Sequence, residues 1–448
     1  MCDVRGPLYL LEFLHGIRVL PNSRESASSA RSPRDAAMRC HIENREFAAR
    51  TTATAMHAYY STMLSPMLSL LSVLWPLHVC FAGAFSIDAK WTDLSHQEVN
   101  IVTPPRSGHV AFAPLDEPYS PRIFGGYIEE KDGSTGEITR YAGNDMWRWC
   151  GVDRGWSKVD YADENVMPQP RLAAAMCLVN DRPVLFGGWD PQTPGTGGVI
   201  LDTLEEFDPK STAWKANVID ARIPDGPTSR HVAVNLPDGT AMIHNHRCTD
   251  HVMIYSDSGF HKQSTTGPAP SSRGLHAATV AGNKAVIFGG AEQSGTMNNE
   301  VFVLDTSTWE WRQIQIENSK CIPCPRAAPC FVTAADNCVL LFGGAEATST
   351  GLNPRGDLWA LHFDPDGGIG RWELLVDDKG GGGSVFEGCP PPRNAATLSE
   401  IEPSPTSTTA ETWDEDGEIR KSFVLQGGWH PFFRTYNDCF ILSVSLKQ

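Results

Sequence analysis

Residues 244–251 read HNHRCTDH, which places His244, His246 and His251 together with Cys248 and Asp250 inside eight positions. Imidazole nitrogen and thiolate sulfur are the donors that Zn²⁺ and Cu⁺ favour. If the segment is a strand and its turn, alternation puts His244 and His246 on one face, and Cys248 or His251 can approach across the hairpin. His244, His246, Cys248 and His251 are therefore the candidate metal-ligating set. Two other readings stand beside it: a histidine-lined ligand pocket, and a structural unit that has simply lost its usual residues. A second pair, Cys321 and Cys324, has C-x-x-C spacing, but no second such pair follows and the neighbouring prolines place it in a loop, which favours a structural role.

The chain that must position these groups has 448 residues, 40 Gly, 32 Pro, 13 Trp and 41% apolar residues, which fits a turn-rich globular protein with an aromatic core. Its formal charge is −16, with no basic run of the kind that neutralises phosphates, so nucleic acid is not an expected partner. Residues 1–62 carry eight Arg and no Lys without a sustained period, and read as a leader or extension. Residues 63–85, MLSPMLSLLSVLWPLHVCFAGAF, hold no Asp, Glu, Lys or Arg. Pro66 and Pro76 argue against a spanning helix, and Ala82-Gly83-Ala84 has the small-x-small form of a signal-peptidase site. Cleavage there predicts the secretory pathway or the cell exterior; an uncleaved segment is a membrane anchor, and a spurious one leaves a cytoplasmic chain. Two features weigh against secretion: no Asn-x-Ser/Thr sequon follows residue 85, and the nine remaining cysteines are an odd, scattered set.

From residue 104 the chain repeats. Each unit opens on an arginine, namely Arg106, Arg171, Arg230, Arg273, Arg326 and Arg393, at spacings of 65, 59, 43, 53 and 67 residues. Five units then carry an apolar run ending in a glycine pair: Gly125 and Gly126, Gly187 and Gly188, Gly289 and Gly290, Gly343 and Gly344, Gly427 and Gly428. A polar loop leads to a run opening on Asn or Asp, and the unit finishes at an aromatic, Trp156, Trp214, Phe260, Trp311 or Trp372. Glycines at strand ends allow positive φ and close backbone approach, while each large aromatic fills the wedge between neighbouring sheets. A period near 50 residues of this kind resembles the kelch repeat. The resemblance implies an all-β, six-bladed kelch-type β-propeller over residues 86–448, with blades starting near 105, 170, 229, 272, 325 and 392. The last unit stops before its fourth strand, and the segment around Trp91 is expected to supply it and remove two sheet edges. In that register His244 and Asn245 take the Gly-Gly positions of the third unit. The segments 379–384 (KGGGGS) and 399–420, the latter with five acids between Glu411 and Glu418, read as a flexible link and a solvated loop.

The resemblance fixes fold more than function. In kelch domains of ubiquitin-ligase adaptors, the loops before the first strand and between the second and third form a ligand face, where arginines grip acidic peptides. The chain therefore looks like a non-catalytic scaffold or adaptor, with the six repeat arginines as candidate contacts to a protein partner, acidic if they point toward the axis. The alternative for these arginines is packing against the neighbouring sheet's backbone. A secreted or luminal enzyme or carbohydrate binder using the central funnel is the alternative function. Copper radical oxidases on this fold need a tyrosine, histidine and thioether-cysteine set that does not assemble here, the E-x-x-x-D-x-x-x-H iron motif of plant specifier proteins is missing, and the central Arg and Glu of the mutarotases are not visible as a motif. No catalytic residue and no cofactor is implied. Residues 1–90 show no resemblance to BTB, F-box or kinase domains.

Overall fold

A computed structural model describes residues 86–95, 102–192, 197–215, 222–318, 320–378, 388–403, 418–431 and 433–447. The expected leader, the hydrophobic segment 63–85, the link 379–384 and most of the acidic insertion lie outside the described residues. The described residues are all-β apart from one short 3₁₀ turn at Glu164–Val166 and form successive four-stranded antiparallel sheets, which is consistent with a kelch β-propeller.

In chain order, sheet one comprises Val110–Phe112, Arg122–Phe124, Met146–Trp149 and Trp156–Lys158; sheet two Ala175–Val179, Arg182–Asp190, Val199–Asp208 and Ala213–Lys215. Sheet three comprises Val232–Asn235, Ala241–His244, His251–Ser256 and Gly259–Ser264; sheet four Ala277–Ala281, Lys284–Phe288, Val301–Asp305 and Glu310–Gln313. Sheet five comprises Cys330–Ala335, Cys338–Phe342, Leu358–Phe363 and Ile369–Val376, with Gln315–Ile316 added in parallel at its edge. Sheet six takes Thr397–Ile401, Glu418–Gln426 and Cys439–Lys447 from the C-terminal region and Ser86–Asp93 from the N-terminal one, paired in register from Ser86 opposite Lys447 to Asp93 opposite Phe440. Eight residues of the first described strand thus cover what would otherwise be an exposed edge.

The strands of each sheet are called a to d below. The first strands are knitted to one another by a series of backbone hydrogen bonds that returns to its start. The amide of Gly108 donates to Ala395, Ala395 to Ala328, Ala328 to Leu275, Leu275 to Arg230, Arg230 to Ala173 and Ala173 to Gly108, all at 2.7–2.9 Å. All six residues have φ between 50° and 63°. Five of them are not glycine, so the left-handed conformation is imposed by the connections on either side rather than chosen by local preference.

Between sheets, the closing aromatic of strand d packs on the aromatic that ends strand b of the preceding sheet. Ring centroids lie 5.0 Å apart for Trp214 and Phe124, 6.2 Å for Phe260 and Phe186, 5.5 Å for Trp372 and Phe288, and 4.9 Å for Trp91 and Phe342. Trp311 meets His244 in the same way at 5.8 Å. These rings are large enough to bridge sheets that diverge toward their outer strands, and offset or tilted contacts suit their quadrupoles. Trp372→Ala should therefore lower unfolding free energy by about 3–5 kcal/mol in denaturant titration; a loss below about 1 kcal/mol would contradict its role as a wedge.

Candidate functional site

The repeat arginines sit where strand a of each sheet begins, and five of them are enclosed. Arg106, Arg171, Arg273, Arg326 and Arg393 are each no more than 1% exposed. Each guanidinium donates one Nη to the carbonyl of the first glycine of its own sheet: Gly125, Gly187, Gly289, Gly343 and Gly427, at 2.9–3.1 Å. Each also pairs with a carboxylate of strand c or the residue opening it, Asp145, Glu205, Glu300, Asp357 or Asp438, at 2.8–2.9 Å. Each Nε donates back to the carbonyl two residues earlier. Burial works against charge in both partners. Even so, bonding to Arg326 holds the Asp357 carboxyl below its usual value, and Arg106 does the same for Asp145. The positive ring expected from five of these residues is thus spent inside the protein, because a desolvated guanidinium needs its carboxylate and carbonyl partners.

The same arginines join neighbouring sheets through their main chain. The amide of Gly290 donates to the carbonyl of Arg326 at 3.0 Å, and a Cβ on Gly289 would lie 2.8 Å from that oxygen. With φ of 65° and 94°, the pair turns the chain around the next sheet's arginine in a way no other residues allow without strain.

Sheet three departs from this pattern, and its register differs from the expected one in two places. The first residue of the pairing between strands a and b is Val110 opposite Phe124 in sheet one, Ala175 opposite Phe186 in sheet two, Ala277 opposite Phe288 in sheet four, and Val232 opposite His244 in sheet three. His244 therefore occupies the strand-end aromatic position, and Asn245 and His246, not His244 and Asn245, stand where the glycine pair would be. Counting back four residues from Val232 gives Thr228, which is 1% exposed and accepts from the Gly188 amide with its carbonyl, as Arg326 does from Gly290. Arg230 lies two residues beyond the arginine position, in the central hydrogen-bonded series. Burial lowers its pKa to about 10. The residue opening strand c, a carboxylate in sheets one, four, five and six, is His251 here, so both halves of the arginine–carboxylate pair are replaced together.

Of the four candidate metal ligands, the structure brings Cys248 and His251 together and sends the other two elsewhere. His244 is 1% exposed and its Nδ1 lies 3.0 Å from Nε2 of His276 on the first-strand approach of sheet four. Burial lowers His244 to about 3 and also holds His276 well below its ordinary value, with nearby Arg273 acting in the same direction on both, so the pair is neutral and one ring donates to the other. His246 is half-buried beyond the strand, its pKa lowered by burial and by Arg247. Cys248 is buried, and desolvation pushes its thiol up to about 11, which makes it a poor free nucleophile. Near it stands Asp225, from the loop before sheet three, a residue the sequence did not single out.

Two further surfaces complete the picture. A cavity of about 420 Å³ follows the central series down the first strands of all six sheets, lined largely by small apolar residues with His231, His276 and Thr397 among them. On the side of the loops between strands b and c, short ribbons stand out from the sheets: Tyr127–Lys131 with Ile138–Ala142, Ala345–Thr348 with Gly351–Pro354, and Trp429–His430 with Arg434–Thr435. Phe433, between the last two segments, is 76% exposed. Arg434 beside it stacks over the buried Tyr436, 4.3 Å from the ring centre. Ile138 is exposed on the ribbon of sheet one, whose first strand neighbours that of sheet six.

A family model described as the KLHDC2/KLHL20/DRC7 Kelch-repeats domain matches residues 244–372. Among curated proteins, the chain is 34% identical over 112 residues to Kelch domain-containing protein 2 of Bos taurus, a match covering 25% of this chain and 26% of that protein. It is 26% identical over 168 residues to Host cell factor 1 of Homo sapiens, covering 36% of this chain and 7% of that protein. The matched region is thus a small part of each relative. Among solved structures, that titled "Structure of YjhT" aligns with a TM-score of 0.52 at 14% identity, covering 78% of this chain and 100% of that one, a likeness of fold alone.

The neutral histidine pair makes stability depend on pH in a defined direction. A buried imidazole whose folded pKa is lowered binds its proton in the unfolded chain first, so its contribution is complete above an unfolded value of ~6.5 and falls by about 1.4 kcal/mol per pH unit below it, down toward the folded pKa. Melting temperature should therefore drop as pH falls from 7 to 5. His244→Phe restores the aromatic found at this position in sheets one, two, four and five and should flatten part of that drop. Equal slopes in the two proteins would contradict the assignment.

Proposed function

Because this chain is a kelch-repeat protein, we propose that its six four-stranded sheets are the blades of one closed ring spanning residues 86–448, and that it works as a non-catalytic protein-interaction module. The binding face is the one formed by the loops between strands b and c and those preceding strand a. The observation that carries this reading is the Phe433–Arg434 pair. A phenylalanine 76% exposed sits at the tip of a short ribbon whose base is fixed by the buried Tyr436, and Arg434 is stacked against that base. An aromatic and an arginine held on a rigid support are the residue types that dominate interface energetics, since little side-chain freedom is lost when they are covered. Ile138 is a second exposed apolar residue, on the ribbon of sheet one. In this reading the partner contacts come from Phe433, Arg434 and the exposed loop residues. The five enclosed repeat arginines support the face from beneath without touching the partner.

The test is quantitative proximity labelling or crosslinking in cells, comparing the intact protein with Phe433→Asp/Arg434→Glu and with Leu115→Asp, which alters an exposed apolar residue in a loop joining strands a and b at the opposite end. The face variant should lose specific partners by about tenfold or more, a change of ~1.4 kcal/mol, while Leu115→Asp keeps them. Retention of the same partners by the face variant, or their loss only in Leu115→Asp, would overturn the proposed face.

A further inference from the structure

Sheet three lacks the arginine–carboxylate pair that ties the approach of strand a to the opening of strand c in its five sisters. Thr228 and His251 stand in the two positions, and neither can form that ion pair. The same two segments are nevertheless brought together by other groups. Asp225, three residues before Thr228, offers a carboxylate oxygen; His251 offers a ring nitrogen; Cys248, in the tight turn between strands b and c, offers its sulfur. These three donor atoms lie within 4.8 Å of one another.

The surroundings of each donor are those of a ligand held in place. His251 Nδ1 is 2.7 Å from Asp250 Oδ1, so a ring N–H on Nδ1 is bonded there and Nε2 is free to bind through its lone pair. In that tautomer Nε2 and Asp225 Oδ2, 3.2 Å apart, are both donor atoms to a cation, which takes the place of the proton that otherwise bridges them. The other oxygen of Asp225 is bonded to the Lys262 ammonium, which fixes the carboxylate's orientation. The Cys248 sulfur accepts the Asn245 amide at 3.5 Å, as a coordinating thiolate does. Sulfur, imidazole and carboxylate together are a borderline-soft donor set, suited to Zn²⁺ rather than to Mg²⁺ or Ca²⁺.

We propose that Asp225, Cys248 and His251 bind a Zn²⁺-class cation that clips the loop before sheet three to its hairpin, replacing the arginine–carboxylate lock of the other sheets. Cys248 binds as thiolate, releasing its proton to solvent, and water fills the remaining position. The cation draws together the 225–228 loop and the 245–251 turn, both on the side of the proposed binding face, so the site also sets the shape of that face at its least regular sheet.

The test uses the purified full chain dialysed against metal-free buffer and then loaded with Zn²⁺ or Co²⁺, with Mg²⁺ as control. The expected result is retention of about one equivalent of Zn²⁺. Co²⁺ should give a thiolate-to-cobalt charge-transfer band, and Zn²⁺ but not Mg²⁺ should raise the melting temperature by about 4 °C or more. The band should vanish in Cys248→Ser and persist in Cys321→Ser/Cys324→Ser, which removes the other closely spaced cysteines. Asp225→Asn should weaken Zn²⁺ retention at least about tenfold without touching the thiol. If the wild-type chain shows no cobalt–thiolate band, or if the band survives Cys248→Ser, the site is an ionic cluster of Asp225, His251 and Lys262 alone and the proposal is wrong. The wild-type spectrum decides this even if a variant fails to fold.

Discussion

The fold depends on an arginine enclosed in five of the six sheets. Its guanidinium reaches across its own sheet, from the approach to strand a over the glycine carbonyl at the end of strand b to the carboxylate of strand c. In sheets one, two, five and six its carbonyl oxygen accepts an amide hydrogen from the preceding sheet. One residue therefore fixes the inner half of a sheet and the join to its neighbour. Desolvating that charge is costly, and the cost is offset only when carboxylate and carbonyl partners are all in place. The glycine pair is needed for the same reason: Gly289 lies too near the next arginine's carbonyl to carry a side chain, and Gly290 must donate to it. Arginine, glycine pair and acid are thus three parts of one device.

Sheet three shows what happens when the device is absent. Arginine, acid and glycine pair are all replaced, by Thr228, His251 and Asn245-His246. The strand-end aromatic becomes His244, which keeps the ring contact with Trp311 and gains a hydrogen-bonded partner in His276. The b to c connection tightens around Cys248, and Asp225 enters from the preceding loop. Under the proposed cation clip, Asp225, Cys248 and His251 hold the same two segments in place of the ion pair.

Much of this was legible in the sequence. The recurring Arg, Gly-Gly, Asn/Asp and Trp mark six units, and the last unit, one strand short, is the one that the segment around Trp91 pairs with. The direction of the arginines was not legible, because sequence spacing gives a side chain's place along a strand but not whether a carboxylate thirty or forty residues later will meet it. The register of sheet three was legible and was misassigned by the arginine: His231-Val232-Ala233 aligns with His109-Val110-Ala111, which leaves Arg230 two residues late and moves His244 from the glycine to the aromatic position. Asp225 carried no signal, since an acid before glycine in a Pro-rich loop reads as turn chemistry and only the folded chain brings it to Cys248 and His251.

The proposed function builds on what the seams leave free: with five repeat arginines enclosed, the proposed face is made of the ribbons that carry Phe433, Arg434 and Ile138. The most direct measurement of whether these arginines are structural is a double-mutant cycle on Arg326 and Asp357, both buried, using Arg326→Met and Asp357→Leu in denaturant unfolding. Each single change should cost about 3–5 kcal/mol by stranding its partner, and the double variant should cost far less than the two together. Small, additive losses accompanied by loss of partner binding would contradict this role and return these arginines to the ligand face.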